Sequence, residues 1–366
     1  MNLVIVGWGN LSHAIAVYAS HYEESVTVLS QSSSATTSVL SAKIFDGTMK
    51  TSKPIAVTQN VQEALKKADV VLFTLPSHVM SQKIKEIAPF LTQNHIVGSV
   101  VGCGGFAWMI RSAAVHVKGI FALQRSPYIC RVIEKGESVD ILGFKKELSL
   151  CLKQGSPEIE VDMLQKKLTN WFQSKISFVQ SLLEVTISNS NPILHTCRLY
   201  SLSKDLSLNN ETLFYADWDN TAAEMLIACD EEIQKITTRL PQEFPMYRSI
   251  EDYYEVSGPD ALRKKIRNIE AFQTIKCPLV HIHGKNRLDI SSRFFQEDVP
   301  FGLVVLKSLA ELVAVSTPNM DEILRVLQTL MNKEYIVKTK LEGADINESG
   351  SCFNFGVDSL EDIENI

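Results

Sequence analysis

The sequence predicts an α/β chain: a doubly wound, largely parallel sheet followed by an all-helical domain. Three observations predict it. Over the first half, short continuous apolar runs alternate with stretches of helical periodicity, the pattern of strands buried on both faces and joined by helices. A glycine turn separates the first such run from the first helix. From about Val161 the texture changes, and helical spacing dominates to Met331.

The elements follow in order. Leu3–Val6 is a buried-strand run, and Leu11, Ala14, Ile15, Tyr18, Ala19 and Tyr22 then form one stripe of an amphipathic helix. Val26–Leu29 is a second strand, Val61, Ala64, Leu65 and Ala68 mark a helix, and Val70–Leu75 is another buried strand. Ile96–Val101, Gly119–Leu123 and Val139–Leu142 complete the sheet, which right-handed crossovers make parallel. Val161, Leu164, Leu168, Trp171 and Phe172 keep helical spacing, as do Ala222, Leu226, Cys229, Ile233 and Ile236. Met320, Ile323, Leu324, Leu327, Leu330 and Met331 form a last stripe. A boundary near residues 178–184 divides the chain into domains 1–180 and 181–366, consistent with roughly 150 residues per domain.

Composition narrows the function classes. At 45% hydrophobic and 21% charged residues the chain is globular rather than disordered. Thirty-six basic against 42 acidic residues give a net charge of −6, no footprint for nucleic acid. Residues 341–366 hold seven of the acids and no Lys or Arg. Seven cysteines stand without a CxxC pair and read as free thiols of a reducing compartment. The uncharged N-terminus lacks a basic leader region, and Ile96–Ile110, about 15 residues, is too short to span a bilayer. A cytoplasmic protein without membrane partners is expected. Apolar stripes serve a core or a second subunit equally, so a homodimer is one outcome among others.

The glycine turn carries the first chemical signal. Gly7-Trp8-Gly9-Asn10-Leu11-Ser12 follows a buried strand and opens a helix. There Gly7 permits the tight turn, Gly9 lets a pyrophosphate approach, and backbone N–H groups at Asn10 and Leu11 face the anion. A Rossmann-type dinucleotide site follows. Leu75 and Pro76, ending a neighbouring strand, are placed beside the cofactor, because ligands collect at the carboxyl ends of parallel strands. The second strand ends Leu29-Ser30-Gln31-Ser32-Ser33-Ser34 without the acid that grips the ribose of NAD. Ser30 and Gln31 can bond a 2′-phosphate, although no Arg stands beside them and the nearest downstream cation is Lys43. The expected cofactor is NADP, with NAD the alternative. Gly102, Gly104 and Gly105 fit a cofactor loop and an ordinary turn equally.

Among eight histidines, two places stand out. His281 and His283 put two rings on one strand face, but no third ligand has zinc-like spacing, so no metal is expected. In Asn191-Pro192-Ile193-Leu194-His195, an Asn cap and a Pro place His195 in a helix's first turn. The dipole there favours neutral imidazole and a carboxylate would oppose it, as acid–base work requires. The same residues read equally well as a capping motif with an incidental histidine. Arg293 and Asp298, five apart, share no helix or strand face, and spacing alone gives no site there.

With these segments in view, the chain resembles the octopine/nopaline (opine) dehydrogenase family. The matching blocks are Gly7-x-Gly9, Ser126 to Arg131, Ser188 to His195, Phe214-Tyr215-Ala216, and Arg293 to Leu303; Phe355 to Leu360 is similar to the family's terminal segment. The Arg293 block reads RFxxEDVPFGL, with Phe294 where the family has Tyr. Thr196 replaces the Pro that usually follows the histidine, and the stretch from Pro278 to Arg293 is longer than usual. The resemblance implies reductive condensation of an amino acid with a 2-oxo acid, such as pyruvate or 2-oxoglutarate. It implies His195 as general acid/base, Asp298 as its orienting carboxylate, and Arg293 as holder of the oxo acid's carboxylate. Asn191, Tyr128 and Cys130 are expected near substrate. A plain 2-oxo acid reductase and a dinucleotide sensor without chemistry are the alternatives.

Overall fold

The structure is a computed structural model that describes residues 1–32, 36–113, 116–155, 159–205, 207–245 and 247–364. Ser33 and Ser34, in the loop considered for the cofactor, lie outside the described residues. The chain divides into two compact units, Met1–Thr186 and Ile187–Ile366. The division thus falls a few residues beyond the position read from the sequence.

The first unit contains β1 (Asn2–Val6), β2 (Ser25–Leu29), β3 (Thr37–Ser38), β4 (Ser41–Ile44), β5 (Met49–Thr51), β6 (Ile55–Thr58) and β7 (Val70–Phe73). It continues with β8 (Ile96–Ser99), β9 (Gly119–Leu123), β10 (Tyr128–Glu134), β11 (Ser138–Phe144), β12 (Glu147–Gln154) and β13 (Lys175–Val179). Between them run α1 (Asn10–Ala19), α2 (Val61–Leu65), α3 (Ser77–Ile87), α4 (Phe106–Ser112) and α5 (Val161–Phe172), and α6 (Leu182–Ile187) ends the unit.

The main sheet has nine strands in the order β13-β12-β9-β8-β7-β1-β2-β6-β3. From β9 through β6 every pairing is parallel, with Val4 of β1 between Thr27 and Val71. All four residues of β7 and of β8 are buried, as their continuous apolar runs require. The outer β12 is antiparallel to β9, and β3 is antiparallel to β6.

Two expectations are corrected. Val139–Leu142 belongs to β11, which sits in a second sheet of order β10-β11-β4-β5 rather than in the parallel one. Val139 and Ile141 are buried while Leu142 is 54% exposed, the period-two burial of a sheet covered on one face. Helix α1, expected to be amphipathic, is instead buried from Ser12 through Ala19. β10, β11 and α5 cover the side that the main sheet leaves open. The core joins Leu3, Ile5 and Ile15 to Tyr128, Cys130 and Trp171.

The second unit is helical, with α7 (Asn191–Ser203), α8 (Asn220–Thr237), α9 (Ile250–Tyr254) and α10 (Pro259–Arg267). It continues with α11 (Arg293–Gln296), α12 (Val304–Leu312), α13 (Pro318–Leu330) and α14 (Leu360–Glu364). The long stretch before Arg293 folds as a hairpin of β14 (Leu279–Ile282) and β15 (Lys285–Leu288). His283 lies in its turn at φ +50° while His281 is on β14, so the two rings do not share a strand face. The stripes of α8 and α13 are buried from Ala222 to Ile236 and from Met320 to Leu327; Leu330, at the end of α13, is 41% exposed.

Helix α7 is the centre of this unit, packed by α8, α13 and a π-turn at Val299–Leu303. Between Pro192 and Leu202 its residues are buried, with His195 alone partly open. Ser190, not Asn191, takes the cap position, and Asn189 Oδ1 accepts the Asn191 N–H at 3.1 Å. Among the described residues no helix is long and apolar enough to cross a membrane. None of the seven cysteines forms a disulfide.

Candidate active site

The glycine turn sits where β1, β2 and β7 end. Gly7 has φ +118°, a conformation L residues rarely adopt, and its N–H donates to the Leu29 carbonyl at 3.0 Å. A Cβ on Gly7 would lie 2.9 Å from Thr74 Oγ1 and 3.0 Å from Leu75 Cδ2, so no other residue fits without displacement. A Cβ on Gly9 would meet nothing within 4 Å, which leaves the start of α1 open to a bulky anion.

Ser12 does more than keep the third position small. Its Oγ accepts the Gly9 N–H at 3.2 Å and bonds Thr74 Oγ1 at 2.8 Å, while Thr74 donates to the Val6 carbonyl. The turn is therefore tied to the end of β7, where partly buried Leu75 and Pro76 follow. The Asn10 side chain is already engaged, its Oδ1 accepting the Val132 N–H at 2.8 Å; its backbone and that of Leu11 begin α1. Ser30 and Gln31 follow β2, Gln31 exposed and Ser30 Oγ bonded to Ser32 Oγ at 2.8 Å. The open Gly9 and the tight turn at Gly7 fit a nicotinamide dinucleotide.

His13 holds this turn from below. It is fully buried, with Nδ1 2.8 Å from the Gly9 carbonyl and Nε2 accepting the Gly136 N–H at 2.8 Å. That pattern requires neutral imidazole. Burial pushes the His13 pKa down, the Gly9 carbonyl opposes it, and Lys135 pushes down further. A pKa lower in the folded than in the unfolded chain contributes stability that is complete above about pH 6.5 and fades as the pH falls. The unfolding midpoint of the wild type should therefore drop between pH 7.5 and 5.5 by more than that of His13→Phe. Parallel pH dependences in the two would refute this.

In the second unit, His195 Nδ1 lies 2.8 Å from Asp298 Oδ2 and Nε2 lies 2.7 Å from the Tyr215 hydroxyl. The two acidic-site partners come from 103 residues apart, and the π-turn brings them together. Pro300 lacks an N–H, and the Asp298 carbonyl instead accepts the Leu303 N–H at 2.8 Å, a widened turn of the kind found at functional sites. Gly302 presses this turn onto α7: a Cβ there would sit 3.0 Å from Pro192 Cβ. Asp298 consequently faces His195, one turn along from Pro192.

The side chains of His195 and Asp298 are 12% and 16% exposed. Withdrawal from water pushes the Asp298 carboxyl above its usual range, and His195 pulls it back. Burial pushes the Tyr215 phenol well up, with Asp298 and Tyr254 adding to it. Phe294 packs edge-on against the imidazole at 4.9 Å and stacks on Phe214 at 4.2 Å, so a ring without a hydroxyl walls the pair. Such a carboxylate–imidazole pair can take up and return a proton.

The chain is similar to known dehydrogenases along nearly its whole length. Residues 178–331 match the family described as NAD/NADP octopine/nopaline dehydrogenase, alpha-helical domain, and residues 2–110 match NAD-dependent glycerol-3-phosphate dehydrogenase N-terminus. A tauropine dehydrogenase of Arabella iricolor is 26% identical over 99% of both chains. An octopine dehydrogenase of Mizuhopecten yessoensis is 25% identical over 85% of this chain and 82% of its own. A solved octopine dehydrogenase with NADH and L-arginine superposes with a TM-score of 0.88 at 22% identity, covering 99% of this chain and 97% of that one. The second half of the chain thus carries the octopine/nopaline dehydrogenase helical domain. The protein is an NAD(P)-dependent oxidoreductase acting on CH–NH donors.

The remaining expected residues divide. Arg293 is exposed in the first turn of α11 and forms no ion pair among the described residues. Asn191 is exposed at the start of α7. Tyr128 and Cys130 are corrected to core residues, 3% and 8% exposed. β10 lies over α1, so its alternate residues 128 and 130 point inward while Ile129 is 45% exposed. The Tyr128 hydroxyl donates to the Trp171 carbonyl, and burial pushes the Cys130 thiol up to about 12. Tyr215 was not singled out by spacing; its only sequence signal is the Phe214-Tyr215-Ala216 block.

Proposed function

We propose that the enzyme joins the amine of an L-amino acid to the ketone of a 2-oxo acid such as pyruvate or 2-oxoglutarate, with NADPH as preferred reductant. The observation that carries this reading is the Asp298–His195 pair, a positioned acid/base in a family whose chemistry needs one. His195 takes a proton from the amino acid's ammonium group, freeing the lone pair that attacks the ketone. It returns that proton to the carbinolamine hydroxyl, which leaves as water and yields the imine. Asp298 holds the imidazole in one tautomer and stabilises its protonated form. The nicotinamide, when bound, supplies the hydride that reduces the imine carbon.

Arg293 presents a planar fork suited to the oxo acid's carboxylate. Arg293→Ala should raise the KM for the 2-oxo acid roughly 10- to 100-fold and leave that for the amine unchanged. An unaltered dependence on oxo acid concentration would remove Arg293 from this role. The preference for NADPH is supported by the sequence that ends β2, where Ser30 and Gln31 offer a hydroxyl and an amide and residues 29–34 contain no acid.

The deciding experiment is oxidation of NADPH, and separately of NADH, by the purified protein. Each is offered 2-oxo acids alone, amino acids alone, and both. Oxidation that needs both supports condensation, and the faster cofactor settles the preference. Oxidation with oxo acids alone would make the enzyme a hydroxy-acid-forming reductase instead.

A further inference from the structure

The His195 imidazole has two nitrogens, and the chain occupies both. An ionised carboxylate only accepts, so Nδ1 carries the proton, Nε2 offers its lone pair, and Tyr215 donates its O–H to Nε2. The nitrogen left for proton exchange thus already bears a hydroxyl.

Tyr215 is held in that place. Its ring stacks on Phe272 at 4.1 Å and on Trp218 at 6.0 Å, with Phe214 edge-on at 4.9 Å. Buried Arg198, one turn after His195 on α7, ties down the segment. Its Nε donates to the Phe214 carbonyl at 2.8 Å and its Nη1 to Asp219 Oδ2 at 2.5 Å. Asp219 in turn caps α8 through the Ala222 N–H. One arginine fixes Tyr215 to the helix that carries His195.

We propose that Tyr215 is a catalytic residue of this reaction, the hydroxyl through which His195 exchanges protons with the substrate. The inference rests on the reading of His195 as acid/base and deepens it. In the condensation, the ammonium group gives one proton to the Tyr215 oxygen as the phenol proton passes to Nε2, and the freed nitrogen lone pair forms the C–N bond. The hydroxyl next passes one of the two remaining N–H protons to the former carbonyl oxygen. Nε2–H then returns its proton to the phenol oxygen while the phenol proton moves to the carbinolamine hydroxyl. The C–O bond breaks, water leaves, and the nitrogen lone pair closes the C=N bond, leaving one proton on nitrogen. Phenol and imidazole end as they began. The raised pKa of the phenol makes free phenolate inaccessible, so each hand-over is concerted.

Tyr215→Phe keeps the ring and its stacking and removes only the relay. Its kcat should fall roughly 10²- to 10⁴-fold with both KM values little changed. The wild type should show a solvent deuterium isotope effect with a curved proton inventory, which becomes linear in the variant. A kcat at or above wild type would mean that substrate displaces the hydroxyl and meets Nε2 directly, and overturns the proposal. So would a lowered kcat with an unchanged proton inventory, the mark of a structural role. Should Tyr215→Phe fail to fold, fluorotyrosines at position 215 keep the hydrogen bond and vary the phenol acidity; a rate indifferent to that acidity again overturns it. His195→Ala is measured alongside. Full activity in His195→Ala sinks the acid–base reading itself, whereas an inactive His195→Ala beside an active Tyr215→Phe removes Tyr215 alone.

Discussion

His195→Ala is expected to lower kcat roughly 10²- to 10⁴-fold while the affinity for the dinucleotide stays at the wild-type value. The glycine turn belongs to the first compact unit and His195 to the second, so the substitution leaves Gly7, Gly9 and Ser12 untouched. Turnover is followed by dinucleotide absorbance and binding by its fluorescence. Loss of both together would mean that the substitution unfolds the protein or that His195 has another task. Alanine also removes the edge-on contact with Phe294, so an unfolding midpoint recorded with the kinetics separates a packing defect from a chemical one.

Asp298→Asn should lower kcat about 10²-fold or more. The carboxylate accepts from Nδ1 and favours imidazolium, and the neutral amide gives up that charge, so the protonated ring loses its partner in the variant. The amide can also turn its NH₂ toward Nδ1, forcing the proton onto Nε2 and against the Tyr215 hydroxyl; this tautomer cannot accept a proton from the substrate side. A kcat left at the wild-type value would show that Asp298 acts only through packing of the π-turn. Glu297 and Arg293 also act on Asp298, in opposite directions.

The first unit was readable wherever the backbone itself makes the demand. A buried run, a glycine at positive φ and an opening helix leave few choices for Leu3 to Ala19. The second sheet was not readable, because β10 and β4 carry mixed residues whose alternation becomes visible only once α1 needs covering. For the same reason Tyr128 and Cys130 read equally as substrate contacts or packing until β10 was placed over the core. The hairpin of β14 and β15 likewise placed His283 in a turn, beyond what residue spacing could say.

The candidate site divides along the same line. By itself the sequence determined the α/β class, the dinucleotide turn with Gly7 and Gly9, the helix that carries His195, and, through family resemblance, the block that carries Asp298. These are local requirements of backbone conformation and side-chain chemistry, written in neighbouring residues. Tertiary structure alone decided that Asp298 reaches Nδ1 and that Tyr215 takes Nε2. It did so through a turn widened at Pro300, a glycine pressed against Pro192, and a buried arginine anchoring Phe214. Contacts between residues 103 positions apart depend on packing the whole helical unit, and no periodicity along the chain encodes them.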